Sequence, residues 1–558
     1  MKNSFAHIYW AERMQAIRVE VSTHRRNFCV HHVDLIALPT WHSILLLSPA
    51  LAAVVAVVVV RFVPSVQSAW TVARISAVVM LVAAAAAIAL RAAVGVRSGW
   101  IARADTLSVT MLALATFVGW VVVRYSQNYL NGDPGERRYI GRLLSTLAAV
   151  CLVAVANDLI VLMLAWMATS LAMHGLLTFY GHRRAAVAAA HKKFLLARCA
   201  DVCMLGAIVA FFVAFDTLRI DEIVAAAASS VSLPTSARIG IALIGLAAIL
   251  RCAQLPFHGW LIQVMEAPTP VSALLHAGVV NLGGFVLLRF APVVDRAVET
   301  RAMLVVFGSI TAAIAALVMT TRVSIKVSLA WSTCAQMGFM LLQCGLGVWE
   351  MALLHLIAHS LYKANAFLSA GGTVRQTQRR HLADSALVPT ITTTALAAVA
   401  AVASTIAVGW AWSRLPFGES LSASVWLLAG VVALAVVPLI SPLSGAAKRL
   451  VQPATVAAAV AVPVVYFGLH EVFGQLVPHG AAAPLALLII VALALGATFM
   501  VQSLCMMRPS GSVVRRLYPW IYGGLFLDES FTRLAFRVWP PPTPGPIQSS
   551  PIPIGPFP

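Results

Sequence analysis

Runs of apolar residues long enough to cross a membrane recur along almost the whole chain. A helix needs about 20 apolar residues to span the hydrocarbon core of a bilayer. Fifteen such runs lie near 43–61, 75–95, 106–125, 142–157, 159–180, 193–215, 238–255, 270–291, 302–321, 325–346, 349–371, 387–409, 421–440, 449–470 and 481–506. The sequence therefore predicts an all-α polytopic membrane protein with about fifteen transmembrane helices.

Composition supports this class and excludes others. Of the 558 residues, 60% are hydrophobic and 11% are charged, whereas a soluble domain has roughly 25% charged residues. This low charged fraction excludes a soluble enzyme. The apolar runs occupy most of the chain and leave no room for a large extramembrane domain. The eight cysteines include no Cys-x-x-Cys pair, and no zinc or iron–sulfur site is predicted from them. We expect no catalytic activity, cofactor or metal on this chain.

The net charge of +19 can be explained by membrane topology, without binding to nucleic acid. Basic connections follow odd-numbered runs, for example Arg137 and Arg138 after the third run and Arg184, Lys192 and Lys193 after the fifth. Because cytoplasmic loops of membrane proteins are enriched in Lys and Arg, we expect odd-numbered spans to exit on the cytoplasmic side. The predicted location is the bacterial inner membrane.

Three prolines interrupt the chain after the seventh run. Pro256, Pro268 and Pro270 flank His258 and Glu266, and each proline removes a helical hydrogen bond. One interpretation is a broken helix inside the membrane, which is tolerated where it lines a transport path. The other is a surface loop between two whole helices.

Several ionisable residues lie inside the apolar runs, where a charge costs from about 2.5 kcal/mol upward. Arg198 and Asp201 are three residues apart and can pair on one helical face, which would equally suit a purely structural ion pair. Arg251 lies one turn before the proline-rich break, and Lys326 begins the tenth run. His276 lies in the middle of the eighth run, where it could simply pack between helices.

The eleventh run carries the most informative set. His355, His359 and Lys363 are spaced by four residues and therefore stack on one face of a helix. Titratable side chains bridged by water are what stepwise proton movement requires. Two histidines four residues apart could also bind a metal, but no Glu or Cys completes such a site locally. We therefore favour a proton relay.

The sequence around these residues resembles a known family. Residues 254–261 read QLPFHGWL, residues 265–277 read MEAPTPVSALLHA and residues 355–364 read HLIAHSLYKA. These blocks are similar to signatures of the proton-conducting antiporter-like subunits of respiratory complex I and of Mrp-type cation/proton antiporters. The resemblance covers about residues 100–375. It implies two inverted repeats, each with a half-channel around a broken helix.

With these repeats, the chain divides into six segments. They are a basic N-terminal tail (1–42), N-terminal transmembrane helices (43–140), a first antiporter-like repeat (141–291), a second one (302–440), C-terminal transmembrane helices (449–506), and an amphipathic segment with a Pro-rich tail (507–558).

The chain departs from the family pattern at two positions of the first repeat. The family has Trp-Glu where this chain has Trp166 and Met167, and the family lysine before Ala-Gln-Leu-Pro is Arg251. Because an arginine stays protonated, it can set a field but cannot pass a proton on. Residues 387–409, in the second repeat, contain no acid or base. A conduction-dead scaffold is therefore one alternative.

Within the superfamily, the chain most resembles the DabB family of membrane subunits of two-part inorganic-carbon accumulation systems. This resemblance implies a DabA-like soluble zinc partner with a carbonic-anhydrase-like site, on which the flow of protons or sodium ions drives CO2 hydration to bicarbonate. The rival interpretation is a proton-pumping subunit of complex I or of an Mrp-type antiporter. The cation path is expected to use His276, Lys326, His355, His359 and Lys363, with electrostatic roles for Arg251, Arg198, Asp201 and Glu266.

Overall fold

The structure, a computed structural model, describes residues 41–372, 391–415, 421–440, 451–508 and 511–540. The first helices are α1 (Trp41–Phe62), α2 (Val66–Val94), α3 (Thr106–Tyr129), α4 (Glu136–Val155), α5 (Leu159–Leu177), α6 (Arg184–Phe215), α7 (Ile220–Ser229), α8 (Thr235–Arg251), α9 (Gly259–Gln263), α10 (Thr269–Ala277) and α11 (Leu282–Arg289). They are followed by α12 (Ala291–Val294), α13 (Val298–Met319), α14 (Ile325–Leu346), α15 (Trp349–Leu368), α16 (Ile391–Trp412), α17 (Ala423–Ile440), α18 (Val451–Gly474), α19 (Leu485–Met507), α20 (Ser512–Tyr522) and α21 (Leu527–Val538). Two short antiparallel strands, β1 (Arg97–Ser98) and β2 (Arg103–Ala104), lie between α2 and α3.

Eleven segments of the described chain are long and apolar enough to cross a membrane. They are α1 to α6, the α10–α11 stretch, α13, α14, most of α16, and α19. This finding confirms the prediction of an all-α, multi-pass membrane protein. Two of the four other predicted runs contain α8 and α15, which fall short of these length or hydropathy limits. The other two contain α17 and α18, in which the described apolar stretches Ala423–Ala435 and Ala459–Gly474 are shorter than a full span. The number of about fifteen spans therefore stays a prediction, as do the boundaries of the two repeats.

The proline-rich break lies inside the protein. Helix α8 ends at Arg251, and the chain turns through 252–258 before the short helix α9. Gln254 is fully buried, and the backbone N–H of Leu255 donates to Thr311 Oγ1 of α13 at 3.1 Å. A neighbouring helix thus supplies the hydrogen bond that the break removes, as buried irregular backbone requires. The broken-helix interpretation describes this turn better than a surface loop does.

Helices α13 and α14 approach each other closely through two glycines. A Cβ atom at Gly308 would lie 2.6 Å from the carbonyl oxygen of Gly338, and one at Gly338 would lie 2.7 Å from that of Gly308. Small residues of this kind let membrane helices approach backbone to backbone. This contact fixes α14, which carries several groups of the candidate site.

The two ends of the chain are described only in part. Apart from Trp41 and His42, the predicted basic tail 1–42 lies outside the described residues, and so does the Pro-rich end after residue 540. The predicted amphipathic segment forms α20 and α21, joined by a short 3-10 turn, Gly524–Phe526.

Candidate functional site

Three residues, His355, His359 and Lys363, form a series along one largely buried face of α15; we call them the α15 series. The rings of His355 and His359 are 5.8 Å apart between centroids. Nδ1 of His355 lies 3.0 Å from Oε1 of Gln343. One turn beyond His359, Lys363 is buried, and its Nζ donates to the Leu329 carbonyl oxygen at 3.0 Å and to the Ser332 hydroxyl of α14. The spacing of four residues thus produces the predicted alignment.

His276 of α10 joins this series from a second helix. Its ring is fully buried and stacks on Phe367 at 4.4 Å between centroids. Its Nδ1 lies 3.0 Å from Thr333 Oγ1, next to the serine that binds Lys363, and its backbone faces the His359 ring. His276, His359 and Lys363 therefore surround one short stretch of α14.

Each of the three imidazoles also has a nitrogen with no protein partner. Among the described residues, Nε2 of His276, His355 and His359 accepts or donates no hydrogen bond. Buried polar atoms usually find a partner in protein or in ordered water. An imidazole that is held through one nitrogen and reaches water through the other can accept and release a proton. The arrangement is therefore chemically suited to proton relay.

Lys326 extends the series toward the start of α14. Its Nζ donates to Thr269 Oγ1 at 2.9 Å, at the first residue of α10. Leu329, whose carbonyl oxygen binds Lys363, lies three residues further along α14, about one helical turn away. The structure thus brings five side chains together in one series. His276, His359 and Lys363 are buried, and Lys326 and His355 at its two ends are partly buried.

Arg198, Asp201 and Arg251 form a separate cluster beside α8. One carboxylate oxygen of Asp201 lies 2.7 Å from Arg251 and the other lies 2.8 Å from Arg198. Arg251 also donates to the Trp166 carbonyl oxygen at 3.3 Å and lies over the Trp166 ring at 5.0 Å. The predicted pairing of Arg198 with Asp201 is confirmed, whereas the bond from Asp201 to Arg251 was not anticipated.

Lys192 and Lys193 do not lie in the cytoplasmic loop that their sequence pattern predicts. Both lie within α6 and are buried. Nζ of Lys193 lies 3.4 Å from the Ser170 carbonyl oxygen and borders a cavity of about 10 Å³ that Arg251 and Trp260 also line, enough for about one water molecule. The signal for Lys193 is its position on the same helix as Arg198 and Asp201, about two turns before Asp201.

Glu266 is the candidate that the structure places apart from the others. Its carboxylate is about half exposed and lies 3.6 Å from the half-exposed Arg183. The proline-rich segment begins in the protein interior but reaches the surface at this residue. The expected electrostatic role of Glu266 in a buried path therefore has no geometric support.

The C-terminal segment packs against the part of the chain that follows the proline-rich break, at Phe257 and Gln263. Nζ of the buried Lys192 lies 2.9 and 3.1 Å from the two carboxylate oxygens of Asp528 in α21. Gln263 Nε2 donates to the same carboxylate at 3.3 Å, and Phe531 packs edge-on against Phe257 at 5.7 Å between centroids. The sequence predicted an amphipathic segment here but gave no sign of this contact.

Comparison with known proteins places this arrangement in context. Residues 156–440 match the family model described as NADH:quinone oxidoreductase/Mrp antiporter, transmembrane region. Residues 93–140 match the N-terminal region of complex I chain 5. The larger match includes the broken helix, the Asp201 cluster and all of the α15 series.

Individual relatives extend the similarity. The chain is 41% identical over 78% of its length to a probable inorganic carbon transporter subunit DabB of Hydrogenovibrio crunogenus, and the match covers 82% of that protein. It is 38% identical over 78% of its length to DabB2 of Halothiobacillus neapolitanus, covering 80% of that protein. Among solved structures, a chain of the Mrp complex from a Dietzia species shares the fold, with a TM-score of 0.60 and 22% identity over 89% of this chain and 59% of that one.

Proposed function

The chain belongs to the DabB family of inorganic carbon transporter subunits, and from this premise we propose that it conducts protons as the membrane subunit of an energy-coupled inorganic-carbon accumulation complex. Its place is the bacterial inner membrane. The observation that carries the proposal is the series of three imidazoles and two amines from His355 to Lys326, in which His276, His359 and Lys363 are buried and the two end members are partly buried. Burying these groups is costly for a helix bundle, and ion movement past them is the function that would justify retaining them.

The chemistry of the series favours protons over sodium ions. Na⁺ is a hard cation that prefers oxygen ligands, as Ca²⁺ and Mg²⁺ do. The five groups of the series offer nitrogen atoms that bind and release protons. Asp201, a carboxylate that lies inside α6, is already bound by two arginines. A membrane potential of 100 mV supplies about 2.3 kcal/mol per proton moved, enough to bias an equilibrium more than tenfold.

The partner that uses this energy is a DabA-like soluble zinc protein. It would hydrate CO2 to bicarbonate at a carbonic-anhydrase-like site, and proton flow through this chain would make the reaction one-way. Support comes from the relatives, which are named as subunits of inorganic carbon transporters. The zinc that activates the attacking water would be held by the partner.

Growth of cells that lack carbonic anhydrase tests the proposal. Co-expression of the chain with its candidate partner should allow such cells to grow in air, and a variant with both His355→Ala and Lys363→Ala should not. His182→Ala is the matched control, because His182 is an exposed histidine outside the series. Membrane levels of each variant are compared by immunoblot. Equal growth of the double variant and the parent would contradict the relay, whereas altered NADH oxidation in place of a growth effect would favour the complex I alternative.

A further inference from the structure

Another cluster of ionisable side chains lies at the opposite end of α15 from Lys363. Glu350 in the first turn of α15, His470 near the end of α18 and His479 in the loop before α19 each bring one ligand atom within 4.8 Å of the other two. We infer that these three side chains bind a divalent transition-metal ion of the zinc type. The inference concerns metal binding alone and does not depend on the proposed transport function.

Two of the three groups are buried and incompletely satisfied. Glu350 is 2% exposed and His470 is 5% exposed. Nδ1 of His470 lies 3.1 Å from Oε1 of Glu350, yet neither this nitrogen nor Glu350 Oε2 makes a well-formed hydrogen bond in the described part of the chain. A buried carboxylate without its bonds is costly. A bound cation would satisfy both atoms at once.

The loop that carries His479 is held in place by other contacts. The Ala481 N–H donates to Asp295 at 3.2 Å, and Arg301 donates to the carbonyl oxygens of Ala481 and Ala482 at 3.0 and 3.1 Å. Gly480 packs so closely that an added Cβ would lie 2.7 Å from the Trp349 ring. The backbone that directly follows His479 is therefore fixed before any ion binds, which lowers the entropic cost of binding.

The donor set determines the class of ion. Two imidazoles and one carboxylate form the ligand set of many three-residue zinc sites, in which water takes the fourth position. Mg²⁺ and Ca²⁺ prefer oxygen ligands and would not select two histidines. Tetrahedral zinc with bonds of about 2.1 Å places its ligand atoms about 3.4 Å apart. Because the three ligand atoms lie within 4.8 Å of one another, they have to approach by at most about 1.4 Å to reach this geometry. Rotation of the exposed His479 side chain allows such a movement.

Zinc binding to the purified full-length chain tests the inference. The protein carries an affinity tag without histidines, and its zinc affinity is measured by competition with a chromogenic zinc indicator. Glu350→Gln, His470→Ala and His479→Ala should each weaken one tight site by more than tenfold. Removal of the exposed His479 leaves the buried pair of Glu350 and His470 intact, so this variant tests the site even if the other two fail to fold.

Two controls and a spectroscopic measurement complete the test. The His355→Ala, His359→Ala double variant and the exposed-site variant His182→Ala should both keep the tight site. Co²⁺ in place of zinc should give the visible absorption of a tetrahedral ion in the parent and lose it in His479→Ala. The inference is overturned if the parent binds no zinc, if His479→Ala binds zinc as tightly as the parent, or if the tight site is lost with His355 and His359.

Discussion

Arg251 and Asp201 form an ion pair of 2.7 Å between α8 and α6, beside the backbone of Trp166. In the family pattern that the sequence resembles, a lysine stands at the position of Arg251 and an acid at that of Met167. The structure shows that the loss of this acid does not leave the cation without a counter-charge, because Asp201 serves both Arg251 and Arg198. The first half of the bundle therefore keeps a charged centre, but one whose arginines hold their protons.

The Asp201 cluster should be essential for stability. Asp201→Asn leaves the buried Arg251 without its counter-charge, and breaking a buried ion pair from one side costs about 3–5 kcal/mol. We expect a clearly lower midpoint of thermal unfolding in detergent, followed by tryptophan fluorescence. Adding Arg251→Met to this variant should recover part of the loss. An unchanged midpoint in Asp201→Asn would show that the pair contributes nothing to folding.

The contact between Lys192 and Asp528 should hold the C-terminal segment against the bundle. Asp528→Asn removes the charge that binds the buried lysine amine, so α21 should detach more often. Trypsin should then cleave after Arg515 or Arg516 several-fold faster than in the parent, as measured by gel electrophoresis. Glu529→Gln makes the same change of charge at the neighbouring exposed residue and should leave the cleavage rate unchanged. Equal rates for the two variants would contradict this role.

Asp295 should make stability depend on pH. Burial raises the pKa of this carboxyl group from 3.8 to about 6, although hydrogen bonds from Trp349 and Ala481 lower it in part. Because the folded state binds the proton more tightly than the unfolded state, the stabilisation is fully present below pH 3.8 and is lost as the pH rises through 6. In metal-free buffer, the unfolding midpoint of the parent relative to Asp295→Asn should therefore fall between about pH 4 and pH 6.5 and change little above that range. A constant difference would exclude this linkage.

Local spacing explains which parts of the site could be predicted from sequence. His355, His359 and Lys363 share one helix, so a period of four residues was enough to align them, and the same holds for Arg198 and Asp201. The bond from Asp201 to Arg251 joins residues 50 positions apart and that from Lys192 to Asp528 joins residues 336 apart. Such contacts depend on how helices pack, and periodicity within one helix carries no information about them.

The errors in the sequence analysis have physical causes of the same kind. Lys192 and Lys193 were assigned to a loop because adjacent charges usually mark the end of a span. Helix α6 instead begins at Arg184, and α21 supplies the partner that allows Lys192 to be buried. Glu266 was assigned to the path because of its prolines, but the broken segment reaches the surface there. The cluster of Glu350, His470 and His479 draws on α15, α18 and a loop, so no local motif could reveal it.

Proton flux through proteoliposomes tests the central claim most directly. The full-length chain is reconstituted together with the proposed soluble partner, a potassium diffusion potential is applied, and internal pH is followed with a fluorescent dye. The parent should acidify the vesicles, and the variant with His355→Ala and Lys363→Ala should do so at least tenfold more slowly, while His182→Ala matches the parent. Equal flux in the double variant and the parent, or no flux in the parent, would contradict proton conduction along α15.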